Sequence, residues 1–106
     1  MSPRNEKFRP HYNLQKVQAI VADPNSQPFT ATALRGGLAL GLKEPEMRKV
    51  VMALSARDFY KSMTSDRDHR FWQDVYHGRT PDGNEVYVKI THYPGDRPPV
   101  IQFKAK

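Results

Sequence analysis

The chain reads as an α+β protein, with helices first and an antiparallel sheet after them on which they pack. Three observations predict this. Apolar residues recur at helical spacing from residue 13 to about residue 54. After residue 70 the period changes to the alternation of β-strands. Turn signals then divide the alternating region into short consecutive strands, which favours an antiparallel meander over a parallel sheet.

Asn13 is a candidate cap for a first helix running to about Ala22, with Leu14, Val17, Ile20 and Val21 on one face. Pro24 and Asn25 end it. Thr30 can cap a second helix that extends to about Leu40, with Gly41 as its stop. Gly36 and Gly37 inside that stretch oppose it on propensity. Pro45 suits the first turn of a third helix carrying Met47, Val50, Val51 and Leu54. Ser55-Ala56-Arg57-Asp58 has the spacing of a capping box with Asp in place of Glu. It predicts a short fourth helix through Phe59, Tyr60 and Met63. Three strands are expected at residues 71–77, 85–93 and 100–104, separated by the Pro81-Asp82-Gly83-Asn84 turn and the proline-rich stretch 94–99. Residues 1–10 are polar, basic and bracketed by Pro3 and Pro10, and read as a flexible leader. Residues 11–106 read as one domain, since 106 residues suit a single two-layer core.

Composition narrows the function. The net charge of +6 and pI of about 9.8 favour a polyanionic partner. That charge is spread over both halves, so it does not locate a site. Aromatic residues are concentrated in the second half. Basic and aromatic residues interleaved on a sheet are what RNA binding uses, because rings stack on bases and cations pair with phosphates. Cysteine is absent, which excludes disulfides, thiolate metal sites and a cysteine nucleophile. No apolar run approaches the ~20 residues needed to cross a bilayer. The first residues lack the hydrophobic stretch of a secretory signal. A cytoplasmic protein without a membrane partner is expected.

Strand parity sorts the candidate side chains. If Val86, Val88 and Ile90 pack on the helices, Tyr87 and Lys89 point the other way. If Ile101 and Phe103 are core, Gln102 and Lys104 share that other face. With Trp72 and Tyr76 buried, Gln73 joins them, and the short helix presents Tyr60 and Lys61 at the edge. The resulting face holds amines, phenols and a carboxamide, with no carboxylate pair and no metal-ligand cluster. That inventory suits RNA self-cleavage, in which the 2′-hydroxyl attacks the adjacent phosphate. Lys61 and Lys104 could neutralise the phosphorane's charge, and Tyr87 or a lysine among other cations could move protons. Tyr60 could stack on a base and Gln73 donate to a phosphate or base edge. The four histidines, His11, His69, His77 and His92, lack a metal-binding spacing and read as surface residues. His77-Gly78-Arg79 could contact phosphate from a loop.

The block LSARDFYKSMTSDRDHRFWQDVY at residues 54–76, with NEVYVKI at 84–90 and IQFKAK at 101–106, resembles the motility quorum-sensing regulator (MqsR) toxin family. The first helix and ATALRGGLALGL agree more loosely, so the resemblance covers about residues 10–106. It implies a RelE-like messenger-RNA interferase of a type II toxin–antitoxin pair, cutting RNA at GCU-like triplets with no metal or other cofactor. It also implies a silencing antitoxin that joins a zinc-binding domain to a helix-turn-helix domain, so that DNA is met only through that partner. The family's activity-linked positions correspond to Lys61, Gln73, Tyr87 and Lys104, with Tyr60 and Met63 beside them. Arg79 and Lys89 are further candidates for RNA contact. The leader, the 81–84 turn and the 94–99 loop look longer than the family pattern, which bears on substrate specificity and antitoxin docking. The competing readings are a non-catalytic RNA- or DNA-binding module and a protein whose basic face docks an acidic partner.

Overall fold

Asn13 and Thr30 cap helices as their side chains allow. In the computed structural model, which describes residues 5–64, 70–93 and 99–106, Asn13 Oδ1 accepts from the Lys16 amide at 3.0 Å and opens α1 (Leu14–Ala22). Thr30 Oγ1 accepts from the Ala33 amide at 2.9 Å and opens α2 (Ala31–Ala39). Gly41 ends α2 with φ of 78°. Its amide donates to Leu38 and the Leu42 amide to Gly37, at 2.9 and 2.8 Å, a Schellman closure that needs the left-handed conformation glycine adopts freely. In α3 (Glu44–Met52) Pro45 sits in the first turn, and the Glu46 carboxylate accepts from the Lys43 amide at 3.0 Å.

The glycine pair inside α2 has a packing cause. A Cβ on Gly36 would lie 2.8 Å from the Phe103 carbonyl oxygen, and one on Gly37 would collide with Met47 Sδ. The two glycines thus let α2 lie against the sheet's last strand and against α3. Arg48 and Gln18 join α3 to α1. The Arg48 guanidinium donates to the Val21 and Asp23 carbonyls at 2.6 and 2.9 Å, satisfying orphan groups at the end of α1. Gln18 Nε2 donates to the carbonyls of Val51 and Leu54 at 3.0 and 2.9 Å.

The expected fourth helix is a strand. Asp58 does accept from the Ser55 amide, at 2.8 Å, but the helical stretch lasts one 3-10 turn, Ala56–Asp58. The chain then extends as β2 (Phe59–Thr64). Local capping here yields to the pairing and packing offered by β3 (Trp72–Arg79), whose Tyr76 meets Phe59 edge to face at 5.5 Å between centroids. The leader differs from its expectation too. Glu6–Lys7 form β1, an edge strand on β2, with Glu6 opposite Met63 and Lys7 opposite Ser62. With β4 (Glu85–Thr91) and β5 (Val100–Ala105) the sheet has five antiparallel strands in sequence order. The 81–84 stretch makes the expected turn, with Gly83 at φ 85°. His69 and residues 94–98 of the proline-rich stretch lie outside the described residues.

One face of the sheet meets the helices. Tyr76, Val86, Val88, Ile90, Ile101 and Phe103 join Val17, Val21, Met47, Val50 and Val51 in a single core. Gly78 lets α3 approach, because a Cβ there would stand 3.0 Å from Val50 Cγ1. Asp74 is buried on the same face at 1% exposure. Its carboxylate accepts from the His11 amide at 3.0 Å and the Tyr12 amide at 2.9 Å. Tyr12 Oη donates to the Trp72 carbonyl at 2.6 Å. These bonds fix the chain between β1 and α1. Among the described residues no helix is long and apolar enough to cross a membrane.

Removing the Asp74 carboxylate leaves the part-buried His11 and Tyr12 amides without their acceptor and empties a buried site in the sheet. Asp74→Ala is therefore expected to lower the unfolding free energy by about 3 kcal/mol in urea denaturation. Burial, with the Asp74 charge adding to it, pushes the Tyr76 phenol up to about 12. An unfolded phenol ionises near pH 10, so the stability from this raised group is complete below that pH and is lost as pH rises toward 12. Tyr76→Phe should show a shallower loss of stability across that interval than the unsubstituted protein.

Candidate active site on the open face of the sheet

The opposite face carries the predicted residues, and strand register arranges them in rows. Lys104 lies opposite Tyr87, and Tyr87 opposite His77. One step along, Gln102, Lys89, Val75 and Lys61 lie opposite one another in turn across β5, β4, β3 and β2. The next row holds Gln73, Met63 and Glu6. Lys61 and Lys89 are two strands apart, about 10 Å across the sheet.

A register shift between Phe59 and Lys61 makes the site possible. Strict alternation would turn Tyr60 toward the helices. The bulge instead lets Phe59 enter the core while Tyr60 joins the open face beside Lys61. The Tyr60 ring stands 4.8 Å from the His77 ring and 6.4 Å from that of Tyr87, the latter pair stacked at 28°. His77 contacts Tyr87 edge to face at 5.3 Å. The Lys61 ammonium lies 5.3 Å from the Tyr60 ring centre. Tyr60 is the outermost ring, 44% exposed.

Tyr60, Lys61, Met63, Val75, Tyr87, Lys89 and Lys104 line one cleft of about 270 Å³. It adjoins a wider groove of about 650 Å³ over β5 and α2, which shares Lys89 and Lys104 and adds Arg35 and Gln102. A separate groove of about 490 Å³, lined by Leu14, Gln18, Leu54 and Ala56 among others, has no charged residue in its walls. Only the first two can offer several cations to a phosphate chain.

Six of the eight candidate residues therefore meet in the cleft. Met63 reaches it because residues 59–64 form a strand and not the expected helix. Gln73 shares the face but does not line the cleft. Arg79 lies at the far end of β3, where its exposed guanidinium is 3.8 Å from the Glu85 carboxylate. A hydrogen bond from Lys106, at 2.9 Å, and that ammonium's charge hold the Glu85 carboxyl below its usual range.

Sequence reasoning missed two residues. Glu6, from β1, brings its carboxylate Oε2 to 2.6 Å from Lys61 Nζ. Nothing local in a polar leader announces that. His77, read as a surface residue beside a turn, lies inside β3 under Tyr60. Its parity with Gln73 and Val75 was the available signal. Among the described residues its Nε2 is the one buried side-chain polar atom without a hydrogen-bond partner. No group of three or more His, Cys, Asp or Glu among the described residues could hold a metal ion.

An α+β fold with one sheet face packed on helices and the other lined by lysines and stacked rings has the chemistry of a nucleic-acid-handling sheet. Comparison with known proteins is narrower. The family described as motility quorum-sensing regulator, toxin of MqsA, matches residues 9–105, and the chain belongs to that family. It is similar to the mRNA interferase toxin MqsR of Escherichia coli (strain K12), with 44% identity over 86 residues, 81% of this chain and 86% of the relative.

His77 supports Tyr60 from below. If Tyr60 stacks on an RNA base, His77→Ala should weaken RNA binding several-fold in a filter or anisotropy titration, because such stacking is worth about 1–3 kcal/mol and the ring loses its backing. His77→Phe, which keeps a ring there, should bind close to the unsubstituted level.

Proposed function

We propose that this protein is a toxin that acts as an endoribonuclease on messenger RNA, working from the open face of its sheet. The observation that carries this reading is the convergence of Lys61, Lys89 and Lys104 with Tyr60 and Tyr87 in one cleft, in a chain of the MqsR toxin family. The name of the Escherichia coli relative supports the activity.

The reaction consistent with this inventory is transesterification. The ribose 2′-oxygen attacks the adjacent phosphorus, the O2′–P bond forms and the P–O5′ bond breaks. The 2′-hydroxyl loses a proton and the leaving 5′-oxygen gains one. The products are a 2′,3′-cyclic phosphate and a 5′-hydroxyl. Lys61 and Lys104 sit on opposite walls of the cleft and would stabilise the additional negative charge on the phosphorane. Tyr87, directly opposite Lys104 in the ladder, would share in moving the protons. Tyr60 would stack on a base next to the cut. Gln73, in the row beside Lys61, would donate to a phosphate or base edge of a flanking nucleotide. Lys89, which borders both cleft and groove, would hold the chain as it crosses β5 toward Arg35. Arg79 would touch only a longer substrate, at the sheet's end.

In this reading the preferred cut is at GCU-like triplets. The protein is cytoplasmic and held silent by a cognate antitoxin with zinc-binding and helix-turn-helix domains, and the family's description as the toxin of MqsA supports such a pairing. Residues 11–106 would form the toxin domain, with β1 docked against it.

Purified protein should cut a defined RNA in the presence of EDTA and leave a 2′,3′-cyclic phosphate. Lys61→Ala should lower the cleavage rate by about 10²–10³-fold with the melting temperature unchanged. Binding without scission would instead favour a non-catalytic RNA module. Cleavage by Lys61→Ala at the unsubstituted rate would exclude this site.

A further inference from the structure

The edge strand β1 has no assigned role, and it delivers a carboxylate to the cleft. We infer that Glu6 is a positioning residue for the cleavage reaction, acting through its ion pair with Lys61. This rests on the place given to Lys61 above.

Geometry carries the inference. Glu6 lies opposite Met63 in the β1–β2 ladder, so its side chain shares the open face with Lys61. The pair closes to 2.6 Å between Oε2 and Nζ, and the Lys61 side chain is 21% exposed against 39% for Glu6. The lysine is thus the more covered member of the pair. A lysine stem has four rotatable bonds and a compact charge, and alone it holds no fixed direction. Here it also faces Lys89 and Lys104 across the same cleft, whose repulsion would drive it outward. A carboxylate anchored on a neighbouring strand opposes both effects and keeps the ammonium aimed at one spot.

The anchor is built into the fold. The Thr64 amide donates to the Asn5 carbonyl, and the Asn5 amide to Thr64 Oγ1, each at 2.9 Å. The Lys7 ammonium lies 4.2 Å from the Trp72 ring centre, on the side of the strand opposite Glu6, and 2.7 Å from His11 Nδ1. Asp74 then fixes His11 and Tyr12. A two-residue strand held at both ends and by its alternate side chain is suited to presenting Glu6 in one place. A flexible tail could not do this.

Positioning predicts an effect on turnover and not on binding, since Lys61 is required in the transition state while Tyr60, Lys89 and Lys104 still bind the chain. The test is steady-state cleavage of a short defined RNA by full-length Glu6→Gln, Glu6→Asp and Lys61→Ala proteins, with melting temperatures measured alongside. Glu6→Gln should lower kcat by about tenfold, ~1.4 kcal/mol, with KM and melting temperature unchanged. Glu6→Asp, which keeps the charge, should recover most of the loss. An unchanged kcat in Glu6→Gln overturns the inference. So does a raised kcat, which would mean that Glu6 masks Lys61 from RNA. A loss that Glu6→Asp does not recover, accompanied by a lower melting temperature, would reduce Glu6 to a strand anchor. If Lys61→Ala is inactive while Glu6→Gln is normal, only this inference fails. If Lys61→Ala is fully active, the proposed site fails with it.

Discussion

The antiparallel pairing of β2 with β3 is the interaction on which the rest depends. It draws residues 59–64 out of the helical conformation that their capping signal favours and makes them a strand. Its register shift sends Phe59 to the core and Tyr60 to the open face. Its outer edge gives β1 a place to bind, and through β1 it brings Glu6 to Lys61. Without this ladder the cleft would lose Tyr60, Lys61 and Met63 together, leaving only the side chains of β3, β4 and β5.

A second constraint is the sheet's asymmetry. Three helices and the sheet's inner residues enclose one core, with Asp74 as a buried charge answered by backbone amides. Among the described residues no helix packs on the cleft face, so side chains there are free to be polar. Core and site are therefore coupled only through the backbone of shared strands. In β3, Tyr76 serves the core while Val75 lines the cleft and His77 lies against the Tyr60 ring. This separation lets a small domain concentrate cations on one surface without burying them. It also explains why the net charge, spread over the whole sequence, gives no location for the site.

Much of this was legible in the residues. Asn13, Thr30, Gly41 and Pro45 mark helix ends through chemistry that acts within one turn. Alternation in VYVKI and IQF assigns Tyr87, Lys89 and Lys104 to one face because a strand's period is two. What failed to show depends on contacts distant in sequence. The Ser55–Asp58 signal is real, yet it cannot report that β3 offers residues 59–64 a better arrangement. Gly36 and Gly37 weaken a helix taken alone, and only the nearby Phe103 backbone and Met47 explain them. The ion pair of Glu6 with Lys61 spans 55 positions, and no local pattern encodes it. His77 was within reach of parity reasoning but lay at the end of the expected strand, where a loop residue and a strand residue look alike.

The most direct measurement is a backbone-amide NMR titration with a short RNA carrying a 2′-deoxy nucleotide at the cut position. That change removes the nucleophile and leaves the phosphate chain intact. The account predicts that shifts concentrate at Tyr60, Lys61, Val75, Tyr87, Lys89 and Lys104 and extend toward Arg35. Shifts confined to the uncharged groove around Leu14, Gln18 and Ala56, with the open face of the sheet silent, would contradict it.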